Sequence, residues 1–374
     1  MILKKIIAKA YAYYLMKRWR MKSQGAELLS GVFLKDYKKH IGSLFSVMRI
    51  HNKGFSWEDW NINDFSRKKY DKYLKTTEYY AMHPLNGKYS HWIDDKLTLK
   101  YLCAGTSLDK YMPKYYFQID SFGNVLSLSD YQAKGKLSID DLITFLENTG
   151  ELAFKRVAGS LGEGFYKGVY VGGTYMLNDK VFTREELKLE LQKLRDYLIT
   201  EYLHPHKDMV PFCSDTVNTI RYLVGKKSNG EISLIKSFIR FGTIKSGFVE
   251  NYNAGGVLCY INDNGAFEKG NLYDFELKKN KMINHHPDTG IELKGIIPLW
   301  NEVQKASVEF CEHFPQLNYL GIDFVVTSKN EVKILEINSL TSLDSLQLAG
   351  SILDSKNGSF YKDRMRERLV NANA

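Results

Sequence analysis

The 374 residues, 44% apolar and 25% charged, suffice for two or three packed units around a sizeable core and exclude wholesale disorder. Seven of the nine excess positive charges sit in residues 1–22, on Lys4, Lys5, Lys9, Lys17, Arg18, Arg20 and Lys22, with no acid among them. A nearly neutral remainder excludes the basic stripe of a nucleic-acid reader, and four scattered cysteines exclude a zinc site or a disulfide framework.

Residues 1–16 read as a basic amphipathic helix, with Ile2, Leu3, Ile6, Ile7, Ala10, Tyr13 and Tyr14 on one face and Lys4, Lys5 and Lys9 on the other. It is too short and too charged for a transmembrane span and has no signal-peptide core. Two readings remain: contact with an anionic membrane surface, or packing against the fold. Cys103, Cys213, Cys259 and Cys311 read as small core residues, and with no cleavable signal they point to a reducing cytoplasm.

From residue 23 to about 90 the chain is polar and aromatic, with helical stretches expected at 35–47 and 66–80 and no assignable chemistry. Asp94-Asp95-Lys96 opens a helix predicted to reach about residue 108, followed by strands at 115–119 and 125–128. Ser138 caps a helix over 140–148 that Gly150 stops. Thr183 and Glu186 form a capping box before Leu187, Leu191 and Leu194. A last amphipathic helix spans 298–314 and ends at Pro315. Between the helices lie strand pairs at 152–157 with 165–171, 218–225 with 231–241, and 319–327 with 331–338. Hairpins interleaved with helices make the class α+β, with largely antiparallel sheets.

The third pair carries the sharpest signal. With Lys329-Asn330 as a two-residue loop, Asp323 faces Glu336, and Asn338 shares their face; Ile322 and Phe324 pair with Ile337 and Leu335 toward the core. Opposed carboxylates repel, and a cation would relieve them. Asp, Glu and an amide oxygen form a hard site suited to Mg²⁺; a solvent-facing acidic pair is the plainer alternative.

Lys155 leads into Ala158-Gly159-Ser160-Leu161-Gly162-Glu163-Gly164, a hairpin tip that can lay backbone N–H groups on phosphate while the lysine supplies a point charge. No Gly-Lys-Ser/Thr follows, so this is not a Walker loop; an ordinary flexible hairpin is the alternative. Around the Asn229-Gly230 turn, Arg221 and Arg240 share a sheet face and call for an anion between them, carboxylate or phosphoryl, unless nearby acids pair with them at the surface. His204, His206, His285 and His286 have no fixed mutual geometry and read as structural.

In this order, Lys96, Lys155 with its glycine loop, Leu198-Ile-Thr-Glu201-Tyr-Leu, the arginine strands and Asp323, Glu336 and Asn338 resemble an ATP-grasp protein. The likeness is closest to the sugar-transfer-associated ATP-grasp family, similar to enzymes of teichuronopeptide synthesis. It rests on Asn218-Thr219-Ile220-Arg221, Asn253-Ala-Gly255-Gly256, His286-Pro287-Asp288-Thr289-Gly290, Pro298-Leu-Trp300 and Gly321-Ile322-Asp323…Glu336-Ile337-Asn338, and covers about residues 90–350. The resemblance implies two α+β subdomains clamping ATP: a helical region over 1–90, then 91–374 divided into about 91–203 and about 204–374. It assigns Lys96, Lys155, Gly159, Gly162 and Glu201 to the nucleotide, and Asp323, Glu336 and Asn338 to Mg²⁺. Arg221 and Arg240 would steady the transferring phosphoryl group, with Asn253 and the His286-Pro287 loop near the acceptor.

The implied activity is ADP-forming ligation of a carboxylate to an amine through an acyl phosphate. A uronic acid of a cell-surface polysaccharide is the suggested carboxylate, with the basic first helix beside the inner membrane face. A small-molecule or sugar kinase and a non-catalytic nucleotide-binding scaffold are the rivals.

Overall fold

The computed structural model describes residues 2–132, 135–159, 162, 164–214, 216–247 and 249–373. It opens with five helices: α1 (Ile2–Trp19), α2 (Ser23–Lys39), α3 (Leu44–Asn52), α4 (Trp57–Ile62) and α5 (Thr76–Met82). The first helix is where the sequence puts it, but its buried stripe is not the expected one. Ala12 and Leu15, flanked by Tyr11, Met16 and Trp19, pack on Ala26, Leu29 and Phe33 of α2. Ile6, Ile7, Ala10, Tyr13 and Tyr14 are exposed instead; α2 is met by the narrower stripe of neighbouring residues at three- and four-residue spacing.

The helix expected at 35–47 is two helix ends separated by a break over residues 40–43, the last three of them a short 3₁₀ turn that includes Gly42. Of the stretch 66–80 only the part from Thr76 is helical, started by Glu78 accepting the Lys75 N–H at 2.9 Å. Tyr70 and Tyr73 are taken instead by an aromatic cluster with Phe55, Trp60 and Phe65. Tertiary packing there overrides helical pattern.

Two short helices follow, α6 (His91–Asp94) and α7 (Lys96–Cys103); α7 is capped by Asp95 and is shorter than expected. The first sheet has strands β1 (Tyr115–Ile119), β2 (Val125–Ser127), β3 (Glu151–Arg156), β4 (Tyr166–Val171), β5 (Thr174–Leu177), β6 (Lys180–Phe182) and β7 (Tyr197–Thr200), in the order β2-β1-β7-β3-β4-β5-β6, all antiparallel. Helices α8 (Ile139–Thr149), whose expected Ser138 cap is a full capping box with Asp141, and α9 (Arg184–Leu191), with the expected box at Thr183, cover one face. Leu152 and Phe154 point into that core. By strand alternation Ala153 and Lys155 point the other way.

The second sheet contains β8 (Ile220–Lys226), β9 (Ile232–Phe241), β10 (Val257–Tyr260), β12 (Gly270–Asp274), β13 (Lys279–Ile283), β15 (Tyr319–Val326) and β16 (Val332–Asn338), ordered β13-β12-β10-β9-β8-β15-β16. Between them β11 (Ala266–Glu268) and β14 (Lys294–Ile296) form a two-stranded ribbon. One face packs on α7 and on α10 (Trp300–His313), with Ile220, Tyr222, Ile322 and Phe324 meeting Leu99, Val303 and Phe310. Cys103, Cys259 and Cys311 lie in that same core, as the sequence suggests. The other face is shared. Leu223, Ile235 and Tyr319 are covered by Tyr79 of α5 and by Phe360 and Tyr361 of the last helix, α12 (Ser359–Asn373), which follows the short α11 (Asp344–Gln347). The rest of that face carries the site.

Gly25 of α2 lies against the α5 end, where an added Cβ would stand 2.3 Å from the Tyr80 carbonyl oxygen and 2.9 Å from that of His83. These are backbone atoms, so the clash outweighs alanine's gain of about 1 kcal/mol in helix propensity. Gly25→Ala is expected to lower stability by about 1–2 kcal/mol in denaturant titration; unchanged stability would mean this helix contact is looser than described.

Candidate active site

The open part of the second sheet is organised as one row across its strands. Glu336 pairs with Asp323, Asp323 with Arg221, and Arg221 with Phe238. The pairing of Asp323 with Glu336 is the one expected, but the turn that sets it is not. The loop has three residues, 328–330: the Thr327 N–H bonds to the Glu331 carbonyl, and Asn330 has φ 59°. A bulge beyond Asp323 absorbs the extra residue, so Phe324 pairs with Ile334, not with Leu335. Leu335 and Glu336 both reach the cleft as a result. The β8–β9 hairpin repeats the arrangement, with a three-residue loop at 228–230, Gly230 at φ 86° and a bulge that restores the register at Arg221.

The carboxylate repulsion is already relieved within the chain. Asp323, 2% exposed, receives Arg221 through Nε at 2.5 Å and Nη2 at 2.9 Å, and Arg240 through Nη2 at 3.0 Å. Burial alone would raise the Asp323 pKa, but Arg221 and then Arg240 outweigh it and hold the carboxyl below its usual value. Glu336 pairs with Lys96 at 3.0 Å, and the Asn338 amide donates to Glu336 at 3.3 Å. The anion between the two arginines is therefore Asp323 itself. Arg240 also donates to the Thr219 hydroxyl, which donates to Glu250 at 2.6 Å.

Facing this row across a cavity of about 320 Å³ is the first sheet. Lys155 projects from β3, and Lys96 from the start of α7 donates to the Gly159 carbonyl at 3.2 Å, tying the hairpin tip to the second sheet's carboxylates. Gly162, at φ 72°, rests on the opposite wall: a Cβ there would stand 2.3 Å from Val249 Cγ1. Ser160, Leu161 and Glu163 of the glycine loop lie outside the described residues. Glu201 follows β7, with its Oε1 accepting from the Lys114 N–H at 2.8 Å. Asn253 sits in the turn after Glu250, its N–H bonded to the Asn251 side chain at 3.0 Å.

Lys96, Lys155, Gly159, Gly162, Glu201, Arg221, Arg240, Asn253, Asp323, Glu336 and Asn338 all line this one cavity. Glu250 and Asp344 line it too and were not singled out in the sequence, and Leu335, expected in the core, lines it beside Leu203 of the Glu201 segment; Glu250 stands three residues before Asn253, near enough for the same motif to have included it. The His286 loop is not part of the lining. His286 is 2% exposed and bonds through Nε2 to the Gly242 carbonyl at 2.9 Å, so it is structural. His206 likewise pairs with Asn330.

A family model described as sugar-transfer associated ATP-grasp matches residues 76–356. The chain belongs to the sugar-transfer associated ATP-grasp family. The two antiparallel sheets closing on a common cleft are its ATP-grasp fold. Nothing among curated protein sequences matches the chain. Similar solved structures include D-alanyl-alanine synthetase A from Vibrio cholerae, with 13% identity, 75% of this chain and 66% of that chain covered, and a TM-score of 0.43. N5-carboxyaminoimidazole synthetase from Staphylococcus aureus complexed with ADP has 12% identity, coverages of 67% and 45%, and a TM-score of 0.37. The ATP-grasp ligase PsnB complexed with minimal precursor has 13% identity, coverages of 75% and 62%, and a TM-score of 0.38. The chain thus spans less than two thirds of the length of each, and the likeness is one of fold.

Among the described residues Lys155 has no hydrogen-bond or ion-pair partner, unlike the other lysine of this ATP-grasp cleft. Burial, and then the charge of Lys96, pull its pKa down to about 8. The unfolded chain holds this proton up to about pH 10.4, so the half-buried charge destabilises the folded state fully below about pH 8. That cost fades as pH rises from about 8 to 10.4. Lys155→Met is therefore expected to raise the melting temperature of the ligand-free protein at pH 7 and to lose the advantage near pH 10. An equal effect at both pH values would contradict the burial of an unpaired ammonium.

Proposed function

We propose that the chain binds Mg·ATP in this cleft and joins a carboxylate to an amine with release of ADP and phosphate. The observation that carries the reading is Lys155, an unpartnered ammonium beside Lys96 in a cleft whose other wall presents two arginines. Among the described residues Lys155 alone of these four cations has no acid in ion-pair contact, and a polyphosphate oxygen supplies one. Leu203, Leu335 and Ala153 give the cavity apolar surface for a base, beside Glu201 for the ribose.

Asp323, Glu336 and Asn338 offer hard oxygens, and the adjacent Glu336 and Asn338 suit Mg²⁺ by chemistry. They would hold the ion, which offsets phosphate charge when bound. A substrate carboxylate oxygen attacks the γ-phosphorus, the bond from the γ-phosphorus to the bridging oxygen breaks and ADP leaves. Arg221 and Arg240 stand where negative charge develops on the transferred group. The amine nitrogen then attacks the acyl carbon, the carbon–oxygen bond to phosphate breaks, and the nitrogen gives up its proton. The glycine tip against Val249 limits access of water to the acyl phosphate. A uronic acid of a cell-surface polysaccharide is the carboxylate that the family name favours.

The decisive assay supplies Mg·ATP, pooled amino acids and uronic-acid oligosaccharides and follows phosphorus species by NMR. ADP and phosphate are expected only when carboxylate and amine are both present, with at least about a hundredfold loss in Glu336→Gln. A stable phosphoester formed without amine would replace the ligase by a kinase.

The same reading places the chain on the cytoplasmic face of an anionic membrane. Among the described residues no helix is long and apolar enough to cross a bilayer. Yet Ile6, Ile7, Tyr13 and Tyr14 of α1 are exposed, as are Leu44, Phe45 and Met48 of α3. The two helices are joined where Arg18 donates to Asn52 at 3.0 Å. Residues 1–22 hold seven basic residues and no acid, so the α1 part of this apolar surface is set among the charges that an anionic lipid surface attracts. The full chain is expected to sediment with phosphatidylglycerol vesicles and not with phosphatidylcholine, and Ile7→Asp with Phe45→Asp to abolish this. Equal partition to both vesicles, or to neither, would remove the membrane from the account.

A further inference from the structure

The acids of the cleft differ in what balances them. Asp323 has two arginines, Glu336 has Lys96, and Glu250 has Arg240 at 3.9 Å. Glu201 has no ion pair but is only half-buried and has one oxygen on a backbone N–H. Asp344 is different. It is 5% exposed, lines the cavity, and has no cation within ion-pair distance among the described residues. Its Oδ1 accepts from the Ser342 hydroxyl and from the Ser345 N–H at 2.7 Å, while Oδ2 has no hydrogen-bond donor among the described residues.

Behind Asp344 the charge is of the same sign. Helix α11, which Asp344 begins, packs on α4, and α4 carries Glu58 and Asp59. Asp59 is buried on the hydroxyls of Ser56 and Thr76. Burial and then the Asp344 charge push its carboxyl up to about 7, and the same two causes raise Glu58. A buried carboxylate with acids behind it and no counter-ion is costly, and a cation entering from the cleft removes that cost. The cavity is therefore bipolar: it offers cations to phosphate and carboxylate around Lys155 and Arg240, and an anion at Asp344.

We propose that Asp344 is the anchor for the acceptor, holding a primary amine as its ammonium form through Oδ2 until one proton passes to that oxygen and the nitrogen attacks as the free amine. This rests on the ligase reading and adds to it the residue that selects the acceptor, and the form selected: a primary amine that enters protonated. It also gives residues 57–62 a part in the site, since α4 supplies the acidic backing and thereby the preference for a cation over a neutral group.

The test uses the full chain and two readouts. Saturation-transfer NMR measures ethylammonium and glucosamine against their neutral counterparts, ethanol and N-acetylglucosamine, and fluorescence measures a methylanthraniloyl analogue of ADP with Mg²⁺. Both amines are expected to bind at least about tenfold tighter than the neutral probes. Asp344→Asn is expected to abolish that preference and Asp344→Glu to restore part of it, with nucleotide affinity unchanged in both. Amine and neutral probes binding alike to the wild-type chain, a result that needs no variant, would overturn the proposal, as would an unchanged preference in Asp344→Asn. Loss of nucleotide binding by the wild-type chain, with the amine preference intact, would remove the ligase reading and leave the anchor standing.

Discussion

The cleft depends on the buried carboxylate of Asp323 and the two guanidinium groups that hold it. A carboxylate 2% exposed in the middle of a sheet is tolerable only because Arg221 meets it edge-on and Arg240 adds a third bond. That triad fixes β15, β8 and β9 to one another through side chains as well as through their backbone ladder. It also orients both arginines before any substrate arrives, so their order is established during folding. An incoming polyphosphate thus finds donors already aimed, and its binding exchanges partners for some of them instead of adding charges to an empty space.

The second organising fact is how the face of the second sheet is divided. Tyr79, Phe360 and Tyr361 cover Leu223 and Tyr319, while Arg221, two residues from the one, and Asp323, four from the other, open to the cavity. The helices at the two ends of the chain therefore seal the apolar half of a face whose polar half lines the cleft. Tyr79 bonds to the Thr341 carbonyl, and Arg221 reaches the Thr341 hydroxyl at 3.5 Å, so the same loop is held from both sides. The early helices and the site are thus connected through a few buried hydroxyls.

Much of this was legible in the sequence because it obeys short-range rules. The helix caps at Ser138 and Thr183, the hairpins and the placing of Asp323 opposite Glu336 follow from local chemistry and strand alternation. The neutralisation of the acids was not legible, because strand order decides it: nothing in the sequence says that β8 lies beside β15 and so brings Arg221 onto Asp323. The first helix was legible as a helix but not in what it meets: its apolar face allowed a lipid surface or packing, and only the narrower stripe around Ala12 and Leu15 has a helix to meet. Residues 66–75 have helical pattern but are held by aromatic packing.

The two hairpins of the second sheet that carry charged site residues have a three-residue loop with a left-handed third position and, farther along, a bulge of one residue. The two irregularities cancel, so the carboxylates and arginines lie where a tighter turn without a bulge would also have put them. A bulge of this kind works as a slip joint between a turn and the row of charged residues in the cleft. Gain or loss of one residue at the solvent end can be taken up along the strand before it reverses the side chains at the chemical end. Turn length and site geometry are in this way mechanically uncoupled, and the solvent-side loops of the fold can vary without moving Asp323, Glu336 or Arg221.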